Sequence, residues 1–117
     1  MNPRAEPFRY NGSVPDNRRS QTRYHLAIEA QLTVNGAASD QIITNLSLGG
    51  CGVGHPQRLG IGTRVEVAFR IPTHEDVIRV GGAVRWSNDD GSGVQFDGLR
   101  AKEVWALNKY FESLRDS

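Results

Sequence analysis

The chain has 117 residues, of which 38% are hydrophobic and 23% charged, as expected of one ordinary globular domain. No apolar stretch approaches the roughly 20 residues that a membrane-spanning helix requires, and the N-terminus lacks the apolar core of a secretory signal. A cytoplasmic location without membrane insertion is therefore expected. The formal net charge of +1 is too small to predict binding to a long nucleic acid.

Positive charge is concentrated near the N-terminus. Residues 1–23 contain five arginines and two acidic residues, whereas the remainder has nine basic and eleven acidic residues. Arginines outnumber lysines twelve to two. A guanidinium can hold phosphate or guanine through two parallel hydrogen bonds and can stack on a base, which an ammonium cannot do. The distribution favours a small anionic ligand over a polyanion, because a polyanion would need a broad basic face.

Residues 1–17 are predicted to form a flexible N-terminal arm. They have few large apolar side chains but contain three prolines and a turn signal, namely Pro3, Pro7, Pro15 and Asn11-Gly12. From Tyr24 to Val34, apolar and polar residues alternate strictly, which predicts a half-buried antiparallel strand.

Asn35-Gly36 is a strong hairpin signal, and a return strand over about 40–45 is expected to follow it. After a glycine-rich segment over 49–54, further alternation predicts three more strands, over 65–71, 78–86 and around 94–96. Short strands at this spacing indicate a small barrel or sandwich.

Periodicity becomes helical near the C-terminus. Apolar residues there recur at intervals of three and four, namely Val104, Leu107, Phe111 and Leu114. This spacing predicts one amphipathic helix over about 101–115, with its apolar stripe against the barrel. Trp105 lies off the stripe and either serves an interface or packs on the barrel, and packing on the barrel is expected.

Three arginines, Arg18, Arg19 and Arg23, lie within six residues at the entry to the first strand. One interpretation is an exposed basic entry to a strand. The other is a ligand site, because guanidinium groups can bond guanine O6 and N7, pair with phosphate oxygens or lie against a purine ring.

A second polar motif runs from Asn45 to Gly50. It is either a turn that satisfies its own backbone or a ligand site. In the second case the Asn45 amide oxygen accepts from guanine, the Ser47 hydroxyl bonds a base or phosphate oxygen, and Gly49 and Gly50 allow close approach of the ligand. Because 22 residues separate Arg23 from Asn45, about one hairpin, the two motifs are expected side by side.

Trp86 shares the parity of the apolar residues in its strand, so it is either a core or rim residue or a platform on which a base stacks. No catalytic or metal-binding pattern is found. The glycine-rich segment lacks a P-loop lysine, and the three histidines are dispersed. Cys51 is expected to be a small buried residue that forms no internal disulfide. We therefore expect neither an enzyme nor a cofactor or metal.

The two motifs and the hairpin between them resemble the PilZ family, whose signature is RxxxR followed by (D/N)xSxxG. The similarity runs from about Arg18 to Phe96 and extends to the terminal helix. It implies an all-β fold, a six-stranded antiparallel barrel with a C-terminal α-helix, in a domain over 18–117 with its barrel over about 24–97. It also implies the ligand cyclic di-GMP.

By the same resemblance, Arg19 and Arg23 are the paired arginines of the first motif, and Asn45, Ser47 and Gly50 belong to the second. Arg18 stands just before RxxxR, where an arginine in this family accompanies a stacked ligand dimer, so two ligand molecules per domain are implied. Asparagine in place of aspartate removes a charge from the guanine contact, and lower affinity is expected.

The resemblance implies a receptor that changes conformation when the arm wraps over the barrel, and that signals through a partner protein. One alternative is a PilZ-like adaptor that works only through protein contacts. Another is a barrel that binds single-stranded nucleic acid, which the mixed charges and few aromatic residues of the outer strand faces disfavour.

Overall fold

The computed structural model describes residues 22–54 and 58–116. They form six strands and one helix, which are β1 (Tyr24–Val34), β2 (Ala37–Leu46), β3 (Gly50–Gly54), β4 (Arg64–Phe69), β5 (Ile78–Asn88), β6 (Gly91–Phe96) and α1 (Ala101–Asp116). The strands close into a barrel in the order β1-β2-β3-β6-β5-β4, and all neighbouring pairs are antiparallel. The predicted fold class is confirmed. The predicted arm over 1–17 lies outside the described residues.

The β1–β2 hairpin turns at Asn35 and Gly36, as the sequence predicts. Both have positive φ angles, 52° and 83°, which match a two-residue turn between strands of right-handed twist. Val34 therefore pairs at once with Ala37. The return strand begins three residues earlier than predicted, because so tight a turn leaves no loop between the strands.

The glycine-rich segment contains a strand, β3, that the sequence did not predict. Three of its five residues are glycines, which are depleted in strands, so the segment lacked the usual signal. The structure explains Gly50 by close approach, since a Cβ there would overlap the carbonyl oxygen of Val94 on β6. Gly50 thus allows β3 and β6 to pair and the barrel to close.

The core fills the barrel and continues beneath α1. Its buried side chains come from all six strands and the helix, such as Leu32, Ile43, Val53, Val67, Ile78, Val94, Leu107 and Phe111. The ring of Phe111 stacks on that of Tyr24, with centroids 4.2 Å apart and planes 13° from parallel. The helix is therefore fixed against the first residue of β1.

The prediction that Trp105 packs on the barrel is wrong. Its side chain is 62% exposed, while Ala106 and Leu107 beside it are fully buried and occupy the surface that faces the barrel. The Lys109 ammonium lies 5.7 Å from the centre of the indole. Trp105 and Lys109 together form an amphipathic patch on the outer face of α1.

The start of α1 is capped by a buried carboxylate. Glu103 is 2% exposed and accepts hydrogen bonds from the Arg100 backbone N–H and guanidinium, each at 2.9 Å. Burial acts to raise the pKa of Glu103, but these two hydrogen bonds and the Arg100 charge outweigh it and hold the pKa below its usual value. The ionised carboxylate therefore stabilises the folded state.

We expect Glu103→Gln to lower the free energy of unfolding by about 1 kcal/mol at pH 7, because the amide keeps an acceptor for the backbone N–H but loses the charge-assisted bond. A group with a lowered folded-state pKa stabilises above its unfolded pKa, and this contribution is lost as the pH falls through the folded pKa. Urea denaturation should thus show the difference shrinking below about pH 4. Glu112→Gln, at a half-exposed pair, serves as control. A difference independent of pH would contradict this account.

Candidate ligand-binding site

The two sequence motifs meet at the open end of the β1–β2 hairpin. His25 pairs with Asn45, so Arg23 lies just beyond the last paired residues of β1. Its Nη1–H donates to the Asn45 Oδ1 atom at 2.8 Å. The predicted proximity of Arg23 to Asn45 is therefore present. Asn45 holds the guanidinium, and no other described residue is hydrogen-bonded to the Arg23 side chain.

Ser47 builds the turn that follows β2. Its hydroxyl oxygen accepts from the backbone N–H groups of Gly49 and Gly50, each at 3.2 Å, and its own N–H donates to the Gly50 carbonyl at 2.9 Å. The side chain is 2% exposed. The structure thus gives Ser47 the turn-forming role that the sequence left as one of two alternatives, and this role fixes where the Gly49 backbone lies.

The two glycines of the motif differ in their surroundings. Gly49 is exposed, and a Cβ there would meet no other atom within 4 Å, so the space above it is open. Gly50 is buried against β6, where close packing of the strands requires it. Gly49 is accordingly the glycine that can face a ligand.

A β-bulge turns Trp86 outward, although regular alternation in its strand would point it into the core. Val84 pairs with Val94 and Trp86 with Gly93, so β5 has one extra residue at this point. The indole is 45% exposed and lies across Gly93. It packs so closely there that a Cβ at residue 93 would overlap its Nε1 edge. The ring therefore lies at the surface rather than in the core, with one face open to a stacking partner.

A cleft of about 450 Å³ separates the Ser47 turn from this bulge. It is lined by Arg23, Ser47, Gly49, Arg85, Trp86, Gly93, Val94 and Gln95. These residues include two arginines and no acidic group, so the cleft is electrostatically suited to an anion.

Four of the eight predicted site residues line the cleft directly. Asn45 is connected to it through Arg23, whereas Gly50 lies behind the turn; Arg18 and Arg19 lie outside the described residues. The sequence interpretation missed Arg85 and Gln95. Their signal was alternation, which placed them on outer strand faces but gave no sign of the bulge.

A larger groove of about 800 Å³ lies along the outer side of β1 and its neighbours, and none of the predicted site residues lines it. Its charged lining is balanced, with Glu29 and Asp40 against Arg70 and Arg79. Within the described ranges, no group of three or more His, Cys, Asp or Glu side chains is arranged to hold a metal ion. None of the helical residues described forms a segment long and apolar enough to cross a bilayer.

Comparison with known proteins decides the family. The model of the PilZ domain matches residues 17–113. The chain belongs to the PilZ family. No curated protein sequence gives a significant match to this PilZ chain.

Solved structures share the fold at low sequence identity. The Bacillus subtilis inhibitor of motility MotI/DgrA superposes with a TM-score of 0.70 at 17% identity, over 80% of this chain and 49% of that one. Borreliella burgdorferi PlzA in complex with c-di-GMP superposes with a TM-score of 0.63 at 20% identity, over 84% of this chain and 43% of that one. The PilZ domain of CeSA from a cellulose-synthesizing bacterium superposes with a TM-score of 0.61 at 12% identity, over 79% of this chain and 97% of that one. The PilZ chain spans about half the length of the first two.

Cys51 lies on β3 of the PilZ barrel, where it pairs with Val94 of the cleft lining, and it is fully buried, as predicted. Burial raises the pKa of its thiol to about 12, against a smaller opposing effect of the Arg23 charge. At pH 8 the thiol is then almost entirely protonated, and the thiolate is the reactive form.

We expect a chromogenic disulfide reagent at pH 8 to modify native Cys51 at least 100-fold more slowly than the same protein unfolded in guanidinium chloride. Both burial and the raised pKa oppose reaction in the folded state. The unfolded protein is an internal control, because the chain has one cysteine. Equal rates in the two states would contradict the position of Cys51 in the core.

Proposed function

We propose that this PilZ domain is a receptor for cyclic di-GMP and that the ligand occupies the cleft between the Ser47 turn and the β5 bulge. The observation that carries the proposal is the 2.8 Å hydrogen bond from Arg23 to Asn45. It joins the first motif to the second at the border of a cleft whose charged lining is entirely basic. PlzA, a structural relative, has been solved in complex with c-di-GMP, which supports this choice of ligand.

The ligand has two phosphates and two guanines, and the cleft offers a suitable group for each. The remaining Arg23 N–H groups can pair with phosphate or guanine oxygens. The exposed indole of Trp86 can stack on a base, a contact worth about 1–3 kcal/mol. At Gly49 the backbone can approach the ligand without hindrance from a side chain.

Arg18 and Arg19 complete the proposed site. Arg19 precedes Arg23 by four residues, as the RxxxR motif requires, and Arg18 precedes Arg19 directly. We propose that both are drawn onto the ligand and that Arg18 supports binding of a stacked dimer, two molecules per domain. The ligand would shift the equilibrium toward the state in which residues 1–23 wrap over the barrel, because it binds that state more tightly than the unwrapped one.

We further propose that the signal passes to a partner protein in the cytoplasm. Tyr24 follows Arg23 directly and stacks on Phe111 of α1. A shift of Arg23 on ligand binding would therefore move Tyr24 and, through its ring, the helix. The opposite face of that helix carries the exposed Trp105 beside Lys109. Exposed tryptophans are frequent anchors in protein interfaces.

We expect isothermal titration of the purified protein with cyclic di-GMP to give saturable binding, at two molecules per domain. Arg23→Ala should weaken the affinity by about 10- to 100-fold, since it removes charge-assisted hydrogen bonds of about 1.5–3 kcal/mol. The Arg19→Ala, Arg23→Ala double variant should abolish binding.

Arg79→Ala is the matched control, because Arg79 is an exposed barrel arginine that lines the larger groove instead. Its affinity should equal that of the wild type. No heat at high ligand concentration would contradict the receptor and favour the ligand-independent adaptor. One molecule per domain would contradict the role of Arg18. Steeply salt-dependent binding of an oligonucleotide would instead indicate a nucleic-acid-binding barrel.

A further inference from the structure

The bulge in β5 brings two consecutive side chains to the same cleft. In a regular strand, Arg85 and Trp86 would point to opposite faces of the sheet. With one extra residue between the pairs Val84–Val94 and Trp86–Gly93, both are exposed and both line the cleft. Bulges are frequent beside binding sites, where they redirect a side chain. Here the bulge turns the indole of Trp86 outward, next to the guanidinium of Arg85, which alternation already places on the outer face.

Arg85 also differs from most of the other described arginines in its partners. In the described ranges up to residue 100, every other arginine contacts an acceptor or an acidic side chain: Arg23 with Asn45, Arg58 with Asp89, Arg64 with Asp97, Arg70 with Glu75, Arg79 with Glu66 and Arg100 with Glu103. Arg85 has no such partner among the described residues; Arg115 on α1 has none there either, but it does not line the cleft. No described residue occupies the five N–H donors of the Arg85 guanidinium, which can therefore be offered to a ligand.

The position of Arg85 beside the platform decides which part of a ligand it can reach. Gly93 lets the indole of Trp86 lie across β6, so a purine stacked on that ring lies roughly parallel to it. A residue adjacent to the platform in the chain then borders the edge of the base rather than its face. On the edge of guanine, O6 and N7 form the paired acceptors that a guanidinium fork fits.

We propose that Arg85, which lies outside both sequence motifs, reads the O6/N7 edge of a guanine stacked on Trp86. The inference rests on the proposed function and extends it with a specificity-determining residue. Arg23 and Arg85 then hold the ligand from opposite sides of the cleft, one at the motif turn and the other at the bulge.

The test compares wild type with Arg85→Ala, Arg85→Lys and Arg79→Ala by isothermal titration. Arg79 is the matched control, since it lies on the same strand, is also exposed and lines the other groove. Each protein is titrated with cyclic di-GMP and with its 7-deazaguanine analogue, which keeps both phosphates but lacks the N7 acceptor. Thermal denaturation of each variant verifies the fold.

Arg85→Ala should bind cyclic di-GMP about tenfold more weakly than wild type, and Arg85→Lys should recover only part of this loss, because it keeps the charge without the fork. The affinity loss caused by the 7-deaza analogue should be at least threefold smaller in Arg85→Ala than in wild type, and unchanged in Arg79→Ala.

Two results would overturn this inference and leave the proposed function standing. One is an Arg85→Ala variant that binds cyclic di-GMP with wild-type affinity. The other is an equal loss of affinity for the 7-deaza analogue in wild type and Arg85→Ala, which would indicate that Arg85 contacts a phosphate. Absence of cyclic di-GMP binding by the wild type would overturn the inference together with the proposed function.

Discussion

The register of the β1–β2 hairpin is the constraint on which the cleft depends. A turn of two residues, Asn35 and Gly36, pairs Val34 with Ala37 and Ile28 with Ile43, and the register shift between Ile28 and His25 then places Asn45 opposite His25 at the far end of the strands. A slip of one residue would move every side chain of β2 to the other face of the sheet. Arg23 would then lose its bond to Asn45, and Ile43 and Leu46 would leave the core.

Departures from regular strand geometry concentrate around the same end of the barrel. The register shifts between His25 and Ile28, again between Ile43 and Asn45, and a third time on β5 before Trp86. Each shift re-aims side chains without opening the barrel. The hydrophobic core thus stays continuous while polar and aromatic groups are turned outward, which is how a small barrel can provide a site on its surface.

The elements that the sequence predicted are those encoded by local signals. Alternation over residues 24–34, the Asn35-Gly36 turn and the helical stripe each identified an element, and hairpin length alone placed Arg23 near Asn45. The predicted site residues Arg23, Asn45, Ser47 and Gly49 came from the two polar motifs and the PilZ resemblance, and the structure brings them together at one place.

What the sequence did not predict depends on contacts between distant segments. Strand β3 exists because Gly50 fits against Val94, more than forty residues away. The bulge that exposes Trp86 beside Arg85 arises where β5 must pair with β6 and close the barrel, and alternation gave no sign of it. Trp105 was misplaced because smaller residues occupy the buried face of α1. Such features follow from packing, which a pattern along one strand or helix cannot report.

The claim that the cleft is the ligand site is tested most directly by amide chemical shifts recorded during titration with cyclic di-GMP. The account predicts that the largest changes occur at Arg23, Gly49, Gly93 and the indole N–H of Trp86, with Gln31 and Asp40 of the larger groove unaffected. Changes confined to the larger groove, with the cleft residues unmoved at saturation, would contradict it.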